Sequence, residues 1–255
     1  MVQKKLSIHR PRKKKFNKEY FGHYLAGLID GDGHISSIGQ IVIAFNLKDY
    51  KSALSLRSTI GYGTVRKVKD RNAVNLIIAN KEGIVKVALL VKDKLRHPIR
   101  ISQYNSRLTK LFNVRKTLVD STINWDTPWF SGFFDVDGHL RVHLLYQKHR
   151  PNPEVRLLAQ IDQKHNVLLN QIHAKFGGYL GFRKKQDTFY YSSVSYKNCH
   201  KVLKFFDKFS LQLDKSYVRY VIMRKCYLLV QEKKHLQEAG LKKIEKHHKK
   251  LKDMI

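Results

Sequence analysis

The 255-residue chain has only two cysteines, five prolines and 20 acidic residues. Cys199 and Cys226 lie 27 positions apart, so no close thiol pair is available for zinc, and a reducing compartment fits. No apolar run approaches the roughly 20 residues that a membrane span needs. The N-terminus lacks the apolar core of a secretory signal, and it is Lys-rich where a mitochondrial presequence would favour Arg and Ser. Hydrophobic residues nevertheless make up 42%, which excludes disorder by composition and leaves room for one large domain or two modest ones.

The scarcity of acid is matched by 50 Lys and Arg, for a formal charge of +30. Eight of these lie in residues 1–18, and the tail 233–252 carries eight Lys against Glu238 and Glu245. Setting both segments aside still leaves +16 on the body. Such an excess repels itself unless a polyanion neutralises it. Nucleic acid is the default partner and an anionic membrane surface the rival; a basic ribosome-associated protein would share the composition. The N-terminal segment reads as a DNA-contacting arm.

The chain also repeats itself. Residues 24–35 read YLAGLIDGDGHI and residues 129–140 read WFSGFFDVDGHL, identical at five of twelve positions. After the first motif, Ile41, Ile43, Phe45 and Leu47 alternate with Gln40, Val42, Ala44, Asn46 and Lys48. After the second, Val155, Leu157, Ala159 and Ile161 alternate with Arg156, Leu158, Gln160 and Asp162. A period of two predicts half-buried strands. Helical stretches follow, Tyr50 to Ile60 before Gly61 and Asn166 to Phe176 before Gly177, where glycine suits a left-handed cap. Basic strands come next, at Thr64 to Lys67 and Gly181 to Lys184. The spacing predicts an α+β fold of two αββαββα repeats. The expected organisation is a basic arm (1–18), repeats at 19–112 and 128–232 joined by a linker (113–127), and a basic helical tail (233–255).

Each motif predicts a helix, capped by Asn17 in one case and by Thr127 with Pro128 in the other. The small pairs Ala26-Gly27 and Ser131-Gly132 let two helix backbones approach, so the helices are expected to pair about a pseudo-twofold axis. Both end in Asp-x-Asp-Gly, although a helix C-terminus disfavours a carboxylate. If the helices pair, Asp32 and Asp137 converge and repel unless a cation lies between them. A hard divalent ion with oxygen ligands, Mg²⁺, resolves this and can activate water for phosphodiester hydrolysis. The bland alternative, a solvated Asp-Gly turn, suits one such pair better than two. Asp30 and Asp135 are read as structural.

The segment YLAGLIDGDG, with Gly31 in place of an alanine, and the looser FSGFFDVDG resemble the LAGLIDADG homing endonuclease motif. Two copies in one chain resemble the monomeric members. The resemblance implies two pseudo-twofold-related αββαββα units whose antiparallel sheets form a saddle over double-stranded DNA. It implies site-specific cleavage of both strands of a long target with staggered ends. It makes Asp32 and Asp137 catalytic metal ligands, aided by the carbonyls of Gly31 and Val136. Gln163 would be the Gln at the end of a second strand, opposite Asp49 in the first repeat. Lys215 would be the Lys before a final helix, where the first repeat offers Ile101-Ser102-Gln103 and no lysine. Mg²⁺ is the implied cofactor, with Mn²⁺ as a substitute and Ca²⁺ supporting binding without cleavage. An organellar location, mitochondrion or chloroplast, follows from the same resemblance.

Outward strand residues would face the DNA: Gln40, Asn46, Lys48, Arg66 and Lys67 in one repeat, and Arg141, His143, Arg156, Gln160 and Arg183 in the other. Tyr190 and Tyr191 read as sheet packing. The competing reading is an intron maturase, an RNA-binding splicing factor on the same fold. It has intron RNA as partner and no need of the acids. A monomer without a membrane partner is expected in either case.

Overall fold

The computed structural model describes residues 5–9 and 12–254. The chain falls into two compact units, each built on a four-stranded antiparallel sheet. The first comprises Lys14–Asp137 and the short segment Leu211–Asp214. The second comprises Gly138–Ser210, Lys215–Ile255 and the N-terminal segment up to Lys13.

In the first unit the order is α1 (Lys18–Asp32), β1 (Gly33–Ile35), β2 (Ile41–Asn46), α2 (Tyr50–Ile60), β3 (Thr64–Lys67), β4 (Ala73–Ile78) and α3 (Lys81–Val91). It continues with α4 (Pro98–Gln103), a π-helical turn at Tyr104–Leu108, α5 (Thr109–Phe112) and α6 (Trp129–Asp137). The sheet order is β1-β2-β4-β3. Asn17 starts α1 by accepting the Tyr20 amide at 2.8 Å. Thr127, expected to cap α6, donates its hydroxyl to the Asn124 carbonyl at 2.8 Å. Gly61 ends α2 at φ 84°, a backbone that favours glycine. Ile41, Ile43 and Phe45 bury one face of β2 beside Ile78, Leu76 and Val74 of β4, their registered partners.

Helix pairing decides what this unit can do. A Cβ added to Gly27 would strike the backbone of Trp129 and Phe133, and one added to Gly132 would strike that of Tyr24 and Leu28. The motif helices α1 and α6 therefore touch backbone to backbone, as the small residues predict. Around the contact, Leu25, Leu28, Ile29, Phe130, Phe133 and Phe134 are buried.

The second unit runs β5 (Gly138–Leu145), β6 (Glu154–Gln163), α7 (Val167–Phe176), β7 (Tyr179–Arg183), β8 (Thr188–Ser192), α8 (Tyr196–Lys208), α9 (Asp214–Gln231) and α10 (Glu238–Asp253). The sheet order, β5-β6-β8-β7, repeats that of the first. In chain order each repeat thus reads αββαββα, followed by further helix. The first hairpin of the second unit is longer, pairing Gly138 through Leu145 with Ile161 through Glu154. The N-terminal segment is docked on α9. Leu6 exchanges backbone bonds with the Gln231 amide at 2.8 and 3.1 Å, and buried Arg224 donates to Ser7 and His9 carbonyls while gripping Asp207. The side chains of Lys5, Arg12 and Lys13 remain exposed. The basic C-terminal stretch is helical, with α10 burying Ile244 and Leu251 and turning its lysines outward.

Candidate functional site

Because α1 and α6 cross at their glycines and end on Asp32 and Asp137, the crossing carries both terminal aspartates to one end of the pair. The closest approach is at the position where the motifs differ. A Cβ added to Gly31 would lie 2.5 Å from Val136 Cγ2 and 2.6 Å from Asp137 Oδ2. The missing methyl of one repeat is the space taken by the valine and carboxylate of the other. The Asp32 carboxylate reaches solvent, yet the protein mass around it displaces enough water to push its pKa up to about 6, against a smaller opposing pull from Arg100. Hard oxygen donors and a crowded carboxylate fit a divalent cation. Among the described residues no group of three or more His, Cys, Asp or Glu is placed to hold a metal ion.

The inner aspartates have another task. Asp30 Oδ2 accepts the Arg96 amide at 2.6 Å and Trp129 Nε1 at 2.8 Å, and the His97 amide adds a third bond. Asp135 Oδ2 accepts Tyr24 Oη at 2.8 Å and the amides of Gln212 and Leu213 at 2.7 and 3.2 Å. Each thus ties an aromatic of the opposite motif helix to the chain entering a later helix. Burial pushes Asp30 up to about 7 despite these donors.

This correspondence sets Arg96 against Gln212, and it shows what motif reading missed. The comparable helix of the first repeat begins at Pro98, ahead of Ile101-Ser102-Gln103. Its third residue, Arg100, lies close to Asp30, Asp137 and Asp32, all of which support its charge while burial pulls its pKa down. A proline at a helix start with a cation in the first turn, where the dipole disfavours it, is the signal that could have found it. Lys215 is the second residue of α9, half-buried near His139 in the second unit. Gln163 also lies in that unit. It shares the parity of Ala159 and Ile161, hence the helix-covered face, half-buried at the end of β6. Strand register sets Gln163 against Phe45, whereas Asp49 is buried at the start of α2.

Comparison with known proteins agrees with this architecture. The sequence model of the family described as LAGLIDADG endonuclease matches residues 130–227. An uncharacterized cox1 intron-2 37.2 kDa protein of Schizosaccharomyces pombe is 43% identical over 258 residues, spanning 97% of this chain and 78% of the relative. The chain belongs to the LAGLIDADG endonuclease family. The intron-encoded RNA maturase bI4 of Saccharomyces cerevisiae is 26% identical over 234 residues, covering 90% of this chain and 35% of that protein. The solved structure of I-SmaMI bound to uncleaved DNA target in the presence of calcium ions superposes with a TM-score of 0.69. It covers 92% of this chain and 98% of that one at 20% identity, a likeness of fold. The family match spans the second LAGLIDADG motif; the closer copy, YLAGLIDGDG, lies outside it in the helix that pairs with the matched one.

In a LAGLIDADG protein the sheet face turned away from the helices is the expected nucleic-acid surface. In the first unit that face aligns Arg66, Asn75 and Ala44 across three strands. Lys67 pairs with Val74 and so takes the opposite face, correcting its assignment beside Arg66. Gln40 precedes β2, Asn46 ends it, and Lys48 lies in the turn that follows, where Asn46 Oδ1 accepts the Lys48 amide. In the second unit the face carries His139, Arg141, His143, Arg156, Gln160 and Asp162. Gln160 lies on this face as expected but is 8% exposed there, its amide held on both Asp162 oxygens. Arg183 binds Asp162 and lies 4.2 Å from the Tyr190 ring centroid, while Arg156 pairs with Glu154 at 2.9 Å. Tyr191 is in the core; Tyr190 is on the outer face. No helix of the described residues is long and apolar enough to cross a membrane.

Proposed function

We propose that this chain is a site-specific homing endonuclease that hydrolyses one phosphodiester in each strand of a long double-stranded DNA target, leaving staggered ends. The observation that carries the reading is the convergence of Asp32 and Asp137, one from each repeat, at one end of the crossed helices. Their carboxylates would hold divalent metal, with backbone oxygens of Gly31 and Val136 as neutral donors. A bound metal ion would lower the pKa of water and stabilise the leaving oxygen. Arg100 offsets the charge of the acid cluster and holds its shape when metal is absent. Gln163 and Lys215 remain candidates for the outer part of the site. The all-oxygen donor set favours Mg²⁺, with Mn²⁺ able to replace it and Ca²⁺ supporting binding alone; the calcium-containing complex of I-SmaMI with uncleaved DNA supports this.

Arg66, Arg141, Arg156 and Arg183 are the leading contacts to DNA, with Gln40, Asn46, Lys48 and His143 around them. Because both motifs are in one chain, the protein works as a monomer. Its relationship to a cox1 intron protein supports an intron-encoded, organellar origin. The second reading, a maturase that binds intron RNA, is favoured by the relationship to bI4. The clustered acids favour the nuclease, since RNA binding has no need of them. The test is selection of cut sites from a randomised duplex library in Mg²⁺. A defined target should emerge, EDTA should abolish cutting, and affinity in Ca²⁺ should fall roughly 10³-fold or more between 50 and 200 mM salt. A library left uncut beside tight binding to intron RNA would select the maturase.

A further inference from the structure

In the second unit, α9 carries a buried arginine at the edge of the sheet. Arg219 is 8% exposed, and its Nε is buried without a hydrogen-bond partner. The charge acting on it is a second cation, Arg141 of the edge strand β5. Lys215 lies one turn earlier on α9, and His139 shares the outer face of β5 with Arg141. The acid acting on His139 is Asp162, and it is already held by Arg183 and Gln160.

The first repeat shows what a satisfied residue at this position looks like. Arg96 matches Gln212 through their inner aspartates, so Gln103 is the counterpart of Arg219. Gln103 Oε1 accepts the free amide of Ile35 on edge strand β1 at 3.1 Å. A neutral amide with a partner in one repeat is replaced by an uncompensated buried cation in the other. Burying an unpaired guanidinium is costly, and such departures from local satisfaction concentrate where a ligand supplies the missing partner.

We propose that Arg219, with Arg141 and Lys215, forms a ready-made anion site that receives a backbone phosphate of the nucleic-acid substrate. The identity of that substrate rests on the endonuclease reading; the anion site does not. A guanidinium presents Nε–H and Nη–H as a fork matched to two phosphate oxygens, which a lysine cannot supply. Such a contact fixes register and carries no base preference.

Two arms test this on the full chain. In the first, melting is followed in sodium sulfate and in sodium chloride at equal ionic strength, for the wild type, Arg219→Met, Arg219→Gln and the exposed-lysine control Lys243→Met. Sulfate raises the Tm of any fold by exclusion, and the wild type and Lys243→Met should show an added increment over chloride that both Arg219 variants lose. In chloride the Arg219 variants should melt no lower than the wild type. In the second arm, duplex binding in Ca²⁺ should weaken about tenfold in Arg219→Gln, and the slope of log affinity against log salt should fall by about one. Equal sulfate responses in all four proteins overturn the site. A sulfate response lost in the variants beside an unchanged DNA slope reassigns it to a free anion and overturns the backbone contact. The first arm contains no nucleic acid, so failure to find a cleavable target leaves its outcome intact.

Discussion

The first repeat ends its motif helix in Asp-Gly-Asp-Gly and the second in Asp-Val-Asp-Gly, and the difference is matched across the helix pair. Val136 and the Asp137 carboxylate occupy the space that a side chain on Gly31 would need. The glycines at the crossing and the inner aspartates, by contrast, do the same work in both repeats. Residues that hold the helices together are duplicated, while the charges are not: Arg100 stands beside the acids of the motif helices in the first unit, and Lys215 and Arg219 join Arg141 and His139 in the second. The interior sets where the carboxylates go, and the rim is free to differ as an asymmetric DNA target would require.

The duplicated interior can be broken from either side. Gly27→Ala or Gly132→Ala places a methyl on backbone that cannot yield, and each should cost about 3 kcal/mol of stability in urea unfolding, similarly in the two halves. An unchanged midpoint in either would mean that the backbones do not touch there. The inner aspartates come next. Asp30→Ala and Asp135→Ala each strand two backbone amides and an aromatic donor, so each should lose about 2 kcal/mol, whereas Asp32→Ala should lose none. Equal losses for inner and outer positions would erase the division between scaffold and chemistry. The smallest effect sharpens the asymmetry: Gly31→Ala should cost about 1 kcal/mol, and Val136→Ala in the same chain should recover most of it. Independent, additive effects would show that the two positions do not share space.

Much of this was legible in the sequence because local chemistry and tertiary structure agree there. Tyr50–Ile60 forms a helix closed by Gly61, Asn17 caps α1, and β2 alternates as its pattern requires. Readings fell short where strand alternation was passed over, where a near neighbour covers a side chain, or where the partner is remote. Lys67 follows Arg66, and strand geometry gives adjacent residues opposite faces. Gln160 faces outward by register but is covered there, its amide held by Asp162 two residues along the strand. The resemblance sets Gln163 against Asp49 at the end of a second strand, whereas backbone pairing sets it against Phe45. Arg100 shows only as a cation in the first turn of a Pro-started helix; the acids that explain it lie 60 or more residues away at Asp32 and Asp30 and on another helix at Asp137.

The central claim is that one acid from each repeat forms a single metal-holding, DNA-cutting site. Its most direct test is a supercoiled-plasmid assay bearing the selected target, run in Mg²⁺ on Asp32→Asn and Asp137→Asn, with target affinity measured in parallel in Ca²⁺. Asn keeps the shape and removes the charge, so each single variant should lose double-strand cleavage by at least about 100-fold. Each should also fold as stably as the wild type and bind its target nearly as well. Double-strand cleavage at the wild-type rate in both variants would contradict the assignment.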